Sequence, residues 1–136
     1  MMPFHQGRLI DHVHLRVADL EASRRFYRAV LQAVGRSFTS ESEKHFACDE
    51  LWIDQADGHV SRVHLAFQAK DRDAVHAFHA AALAHGGRDN GGPGERSYHR
   101  GYYAAFAFDP DGNNIEAVFH GPAERSAPSV VVEPKR

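Results

Sequence analysis

Residues 10–27, IDHVHLRVADLEASRRFY, have a counterpart at 62–79, RVHLAFQAKDRDAVHAFH, and that relation decides the fold. At an offset of 52 residues, His12 faces His64, Asp19 faces Asp71, Ala22 faces Ala74, Phe26 faces Phe78 and Ala29 faces Ala81. Leu31 and Leu83, Gly35 and Gly87, and Arg36 and Arg88 extend the match to eight identities over the 25 positions from His12 to Arg36. Chance alone gives about one or two, so one supersecondary unit has been duplicated.

Each copy opens with an alternating apolar and polar segment, the period of two that marks a half-buried strand. Asp19 or Asp71 then supplies an acidic helix N-cap. Leu20, Ser23, Phe26, Tyr27, Val30, Leu31 and Val34 recur at helical spacing in the first copy, as do Val75, Phe78, Ala82 and Leu83 in the second. Gly35 and Gly86-Gly87 stand where a helix C-cap needs left-handed geometry. Short β segments follow: RSFTS and HFACDELWID in the first copy, RDNGGPGERSYH, GYYAAFAF and NNIEAVFH in the second. The turn DPDGNN at 109–114 divides the last two.

The expectation is therefore an α+β fold: two βαβββ modules forming a curved, open mixed sheet around a concave face. Module one covers about 9–58, with a seam over Asp54 to Gly58, and module two about 59–120, in a single domain over 1–120. The tail 121–136 has three prolines and no periodicity, and is expected to be loose unless Val130 to Val132 add an edge strand.

Composition sets outer limits. With 43% hydrophobic and 25% charged residues, the chain suits one globular domain. A net charge of −2 lacks the basic excess that phosphate neutralisation requires, so nucleic acid is not an expected partner. The longest apolar run, Tyr102 to Phe108, is far short of the ~18 residues that span a bilayer, and no charged-then-apolar leader opens the chain. The single Cys48 has no partner for a disulfide and reads as a small buried hydrophobe, so a cytoplasmic location is expected. Eleven histidines are the anomaly, since imidazole is the commonest metal ligand.

Strand parity sorts these residues. In the first strand Val13, Leu15 and Val17 form the apolar face, leaving His12, His14 and Arg16 opposite. In the second copy Val63, Leu65 and Phe67 oppose His64, Ala66 and Gln68. The last strand sets Ile115, Ala117 and Phe119 against Asn114, Glu116 and Val118, while Glu50, Trp52 and Asp54 oppose Leu51 and Ile53. With helices on the apolar faces, His12, His64 and Glu116 share the other side. Two imidazoles and one carboxylate suit a divalent cation such as Zn, Ni, Mn or Fe and leave positions open for water or substrate.

The stretches IDHVHLRVADLEASRRFY, VHLAFQAKDRDAVHAF and GYYAAFAFDPDGNNIEAVFH closely resemble the vicinal oxygen chelate superfamily, which includes glyoxalase I, fosfomycin-resistance proteins, bleomycin-binding proteins and extradiol dioxygenases. The resemblance runs from about Leu9 to His120 and places the family's metal ligands on His12, His64 and Glu116. It also implies a fourth ligand or base similar in placement to Glu50, here with a shorter segment before His64. By analogy with the strand before the D-P-D-G turn, Tyr98, Arg100, Tyr102 and Phe106 line the substrate cavity, with Trp52 facing it from the first module. His14 and His99 are weaker candidates for proton transfer. Six other histidines, His5, His45, His59, His76, His79 and His85, read as surface residues.

The resemblance implies an enzyme similar to glyoxalase I, a lyase or isomerase acting on a small oxygenated metabolite, free or thiol-conjugated, with Glu50 or Glu116 as proton shuttle. The alternatives it implies are a metal-free drug-sequestering protein of the bleomycin-resistance type and an Fe(II) extradiol-type dioxygenase. A homodimer is the expected assembly, with the site built within one chain or across two.

Overall fold

The computed structural model describes residues 4–6, 9–127 and 129–135. A short strand β1 (Phe4–Gln6) precedes the first module: β2 (Val13–Val17), α1 (Leu20–Ala33), β3 (Ser40–Glu41), β4 (His45–Cys48) and β5 (Leu51–Gln55). The second module runs β6 (His64–Gln68), α2 (Arg72–Ala84), β7 (Arg88–Asp89), β8 (Gly94–Glu95), β9 (Tyr103–Phe108) and β10 (Asn114–Phe119). Strand β11 (Val130–Val132) closes the chain against β1 in an antiparallel pair, apart from both modules.

Both helices begin and end as the duplicated signals require. The Asp19 carboxylate accepts the Ala22 N–H at 3.1 Å, and the Asp71 carboxylate accepts the Ala74 N–H at 2.8 Å, each satisfying a donor that the first helical turn leaves orphaned. At the other end, Gly35 takes φ +84° and Arg36 N–H bonds back to Leu31 O; Gly86 takes φ +96° and Gly87 N–H bonds back to Ala82 O. These are paired Schellman caps. The structural counterpart of Gly35 is therefore Gly86, not the Gly87 of the sequence match, because α2 has 13 residues against 14 in α1.

Gly87 has a separate reason to be glycine. A Cβ there would stand 2.7 Å from a Phe26 ring carbon, 2.8 Å from Ala82 O and 2.9 Å from Phe108 O. The two modules meet at this point through their helices, with α1 packed on α2. Phe26, Tyr27 and Val30 of α1 and Val75, Phe78 and Ala82 of α2 are fully buried. Leu83, expected on the buried face, is 45% exposed instead, one position beyond the stripe that Phe78 and Ala82 define.

Each module carries its own mixed sheet, in the orders β2-β5-β4-β3 and β6-β10-β9-β7, with β8 also paired to β9. Parallel pairing of β2 with β5 and of β6 with β10 repeats the topology, and leaves β2 and β6 as edge strands. Asp54 and Gln55, expected in the seam, belong to β5. The connection starts at Ala56 and runs beside β2, where Ser61 N–H bonds Arg16 O at 2.9 Å.

The DPDGN turn bolts the modules together. Asp109, 2% exposed, accepts the Tyr27 hydroxyl at 2.6 Å, the Asn113 side-chain amide at 2.9 Å and the backbone N–H groups of Asp111 and Asn113. The Asp111 carboxylate caps Ala18 N–H from the first module, and Asn113 Oδ1 accepts Val63 N–H at 2.7 Å. Among the described residues no helix is long and apolar enough to cross a membrane.

Candidate metal centre

The second sheet shows its apolar side, Ala105, Ala107, Ile115 and Ala117, to α2. Alternation then sends His64, Tyr102, Phe106 and Glu116 to the opposite face. Register brings them together: Glu116 pairs with Phe106 across to β9 and with Ala66 across to β6, and Asn114 pairs with His64. Glu116 is 1% exposed. His64 Nε2 lies 2.8 Å from its Oε1, and the Tyr102 hydroxyl donates to Oε2. Burial and the adjoining Glu116 carboxylate push the Tyr102 phenol up to about 12, so it stays a hydrogen-bond donor at neutral pH.

No lysine or arginine among the described residues ion-pairs with Glu116, whose partners are an imidazole and a phenol. Removing a carboxylate from water costs several kcal/mol unless a charge compensates it. Two donor atoms bound to one divalent ion at ~2.0–2.2 Å stand about 3 Å apart, close to the 2.8 Å between His64 Nε2 and Glu116 Oε1. The spacing of the pair therefore fits a divalent ion held between the two atoms.

His12 is not with them. It stands just before β2 on the other sheet, exposed, with Nδ1 2.8 Å from Asp11 Oδ1. Among the described residues no three His, Cys, Asp or Glu side chains are grouped to hold a metal. Glu50 is the second residue of the two-residue turn joining β4 to β5, a turn that puts Asp49 at φ 51°. Its backbone carbonyl accepts Val13 N–H at 2.7 Å, which sets Glu50 beside His12 in the parallel register.

The first sheet has its own polar face. Asp54 takes His14 Nε2 at 2.7 Å and the Trp52 indole N–H at 3.3 Å. Burial works to raise the Asp54 carboxyl, yet hydrogen bonds from His14 and Trp52 outweigh it and hold the group below its ordinary value. Trp52, 39% exposed, lies against the His45 ring at 4.1 Å and an interplanar angle of 7°. His45 is half-buried and bonded to Ser40 and Ser42, rather than the free surface residue its sequence context suggests.

Before β9, Tyr98 is 70% exposed and meets Tyr102 edge-on at 4.9 Å, while Arg100 points to solvent exposure outside the cluster. His99 Nε2 lies 2.8 Å from His120 Nδ1, and both rings sit edge-on to Tyr102. His120 and Arg96 are site-face residues that the sequence reading does not single out. The Arg96 guanidinium lies over the Phe106 ring at 5.4 Å, close to Gly91 and Gly94.

Known proteins share this fold. The profile of the glyoxalase/bleomycin resistance protein/dioxygenase superfamily covers residues 9–117. A glyoxalase/bleomycin resistance protein from Albidiferax ferrireducens T118 superposes with a TM-score of 0.71 at 31% identity, over 82% of this chain and 98% of that one. A glyoxalase I mutant from Zea mays gives 0.58 at 25% identity, over 80% of this chain but 45% of that one. Lactoylglutathione lyase from Agrobacterium tumefaciens gives 0.57 at 23%, over 80% and 91%, a likeness of fold alone. No curated protein matches at the level of sequence. Two modules that repeat a strand, a helix and a mixed sheet, the second with an additional short strand β8, together with a DPDGN bolt and a profile match across most of the chain, establish that this protein belongs to the glyoxalase/bleomycin resistance protein/dioxygenase superfamily.

Proposed function

We infer that the protein is a divalent-metal enzyme of the vicinal oxygen chelate type, a lyase or isomerase similar to glyoxalase I acting on a small oxygenated metabolite. The observation that carries this reading is the buried Glu116 carboxylate with His64 2.8 Å away and no lysine or arginine paired to it among the described residues. A protein that only sequesters a drug has no need of such a carboxylate, and taking one out of water carries a desolvation cost that its two hydrogen bonds offset only in part.

His64 and Glu116 would hold the ion from one chain, with His12 and the neighbouring Glu50 supplied by a second chain in a homodimer. The edge position of β6 supports this assembly, because unpaired backbone groups on an edge strand invite a further strand. The bound ion would polarise two adjacent substrate oxygens and stabilise the negative charge that develops on them. Tyr102, donating to Oε2, fixes the orientation of the Glu116 carboxylate. Glu50, half-exposed, is the base that takes the proton next to a substrate carbonyl. Phe106, beside the His64 ring, and Trp52 of the facing sheet would wall the substrate space.

Metal analysis of native, untagged protein tests the reading. Close to one divalent ion per chain is expected, with the ion largely lost from His64→Ala. Wild-type metal content in His64→Ala would remove the assignment.

A further inference from the structure

Arg24, Arg28, Arg36 and Arg72 each reach a carboxylate, through Glu21, Glu41, Asp49 or Glu95. Arg62, Arg88 and Arg125, all exposed, and Arg96, half-buried, have no carboxylate ion-paired to them among the described residues, and half-burial is what sets Arg96 apart from the other three. Its terminal nitrogens donate instead to two backbone carbonyls, Gly92 O at 2.8 Å and Glu95 O at 3.3 Å. A guanidinium carries five N–H groups, so about three are left over, including one on each terminal nitrogen, which is the fork that receives a planar oxyanion.

The surroundings hold this fork in place. A Cβ at Gly91 would stand 3.3 Å from one terminal nitrogen, and a Cβ at Gly94 would stand 3.2 Å from the other. The glycine-rich stretch 91–94 thus closes on the guanidinium from its own side, and the Phe106 ring supports it on another at 5.4 Å. That same ring lies 6.0 Å from the His64 ring, and Phe106 is the register partner of Glu116. A fixed, uncompensated cation therefore stands one aromatic ring away from the metal-binding pair.

We propose that Arg96 is an anion anchor of this site, and that the substrate carries a carboxylate beside its pair of chelating oxygens. The proposal rests on the metal-site reading above and narrows it to anionic metabolites. Arg96 is a specificity-determining residue in this scheme: it binds a part of the substrate that does not react, and fixes which end faces Glu116.

The test compares two probes that share vicinal oxygens and differ in one carboxylate, catechol and 3,4-dihydroxybenzoate. Each is titrated calorimetrically into zinc-loaded full-length protein at pH 7.5 and low salt, with metal content measured alongside. Wild type is expected to bind 3,4-dihydroxybenzoate at least about tenfold tighter, a preference that weakens as salt screens the charge. Arg96→Gln should abolish the preference while leaving catechol affinity and zinc content unchanged, and Arg96→Lys should keep part of it through its charge. Equal affinities in wild type would overturn the proposal without recourse to any variant, as would a preference that survives Arg96→Gln. If wild type takes up no zinc, the metal reading fails on that measurement. The same two probes in metal-free protein then decide the anchor, because the Arg96 fork does not depend on the ion.

Discussion

Glu116 sits in a strand whose other face is packed entirely against α2, and only its outward neighbours make a carboxylate tolerable there. Replacing it with glutamine preserves shape but removes the charge and turns one of the two acceptor oxygens into an N–H donor. Glu116→Gln should lower divalent-metal affinity by more than about a hundredfold, and Tyr102→Phe, which removes only the orienting hydroxyl, by about ten- to a hundredfold. Competition against a fluorescent chelator measures both; equal, unaltered affinities would separate this pair from the metal. Cys48 gives an independent check at the same scale. Burial, with Asp49 adding to it, pushes its thiol up to about 11, so the nucleophilic thiolate is scarce at pH 8. The native protein should react with a disulfide reagent far more slowly than the urea-unfolded chain.

Single residues were legible in the sequence wherever local chemistry decides them. The caps at Asp19 and Asp71 are local, as is the alternation that puts His64 and Glu116 on one face. Arg96 was not legible, because its role comes from loop geometry that sets it over Phe106 and from the absence of an acidic partner. Neither shows in spacing. His45 was misplaced for a similar reason: its stacking on Trp52 depends on the β4-β5 register.

At the scale of elements, the helix pair and the DPDGN turn carry the fold. The Tyr27 hydroxyl donates across the modules to Asp109, a hydrogen bond to an ionisable acceptor worth about 1.5–3 kcal/mol. Tyr27→Phe should cost roughly that much in urea unfolding with an unchanged slope. Burial and the adjacent Asp109 raise the Tyr27 phenol well above its ordinary value, so its neutral form belongs to the folded state. Stability from this group is then complete below about pH 10 and lost as pH rises beyond it, a dependence that Tyr27→Phe should flatten. Gly87→Ala should destabilise by about 1–3 kcal/mol or more, because two of the three close neighbours are backbone oxygens that cannot yield. A Gly87→Ala variant as stable as wild type would contradict the close contact with Phe26.

The duplicated βαβ start was legible because both copies keep the same cap, helix stripe and strand alternation. The one-residue slip between Gly35 and Gly86 was not, since Gly87 preserves the letter for a packing reason while Gly86 performs the turn. The paired strands β7 and β8, two residues each, were too short to carry a period.

For the whole molecule the sequence placed three ligands on equivalent faces of two modules, yet which faces meet is decided by long-range packing. The helices pair within the chain and the β4-β5 turn shares a cavity with β6, yet His12 does not join His64 and Glu116. The proposed homodimer brings the first sheet of one chain to the second sheet of the other, and links metal binding to assembly. Removing the metal should therefore weaken association, measurable by sedimentation equilibrium on loaded and stripped protein.

Subunit complementation tests the two-chain site most directly. His12→Ala and Glu116→Ala homodimers each carry a defect in both sites and should bind metal weakly. Unfolded together and refolded as a mixture, they form heterodimers in which a shared-site arrangement puts both defects into one site and leaves the other intact. The account predicts that tight metal binding reappears in the mixture, at one site per heterodimer. Metal binding in the mixture no stronger than in the two separate variants would contradict it.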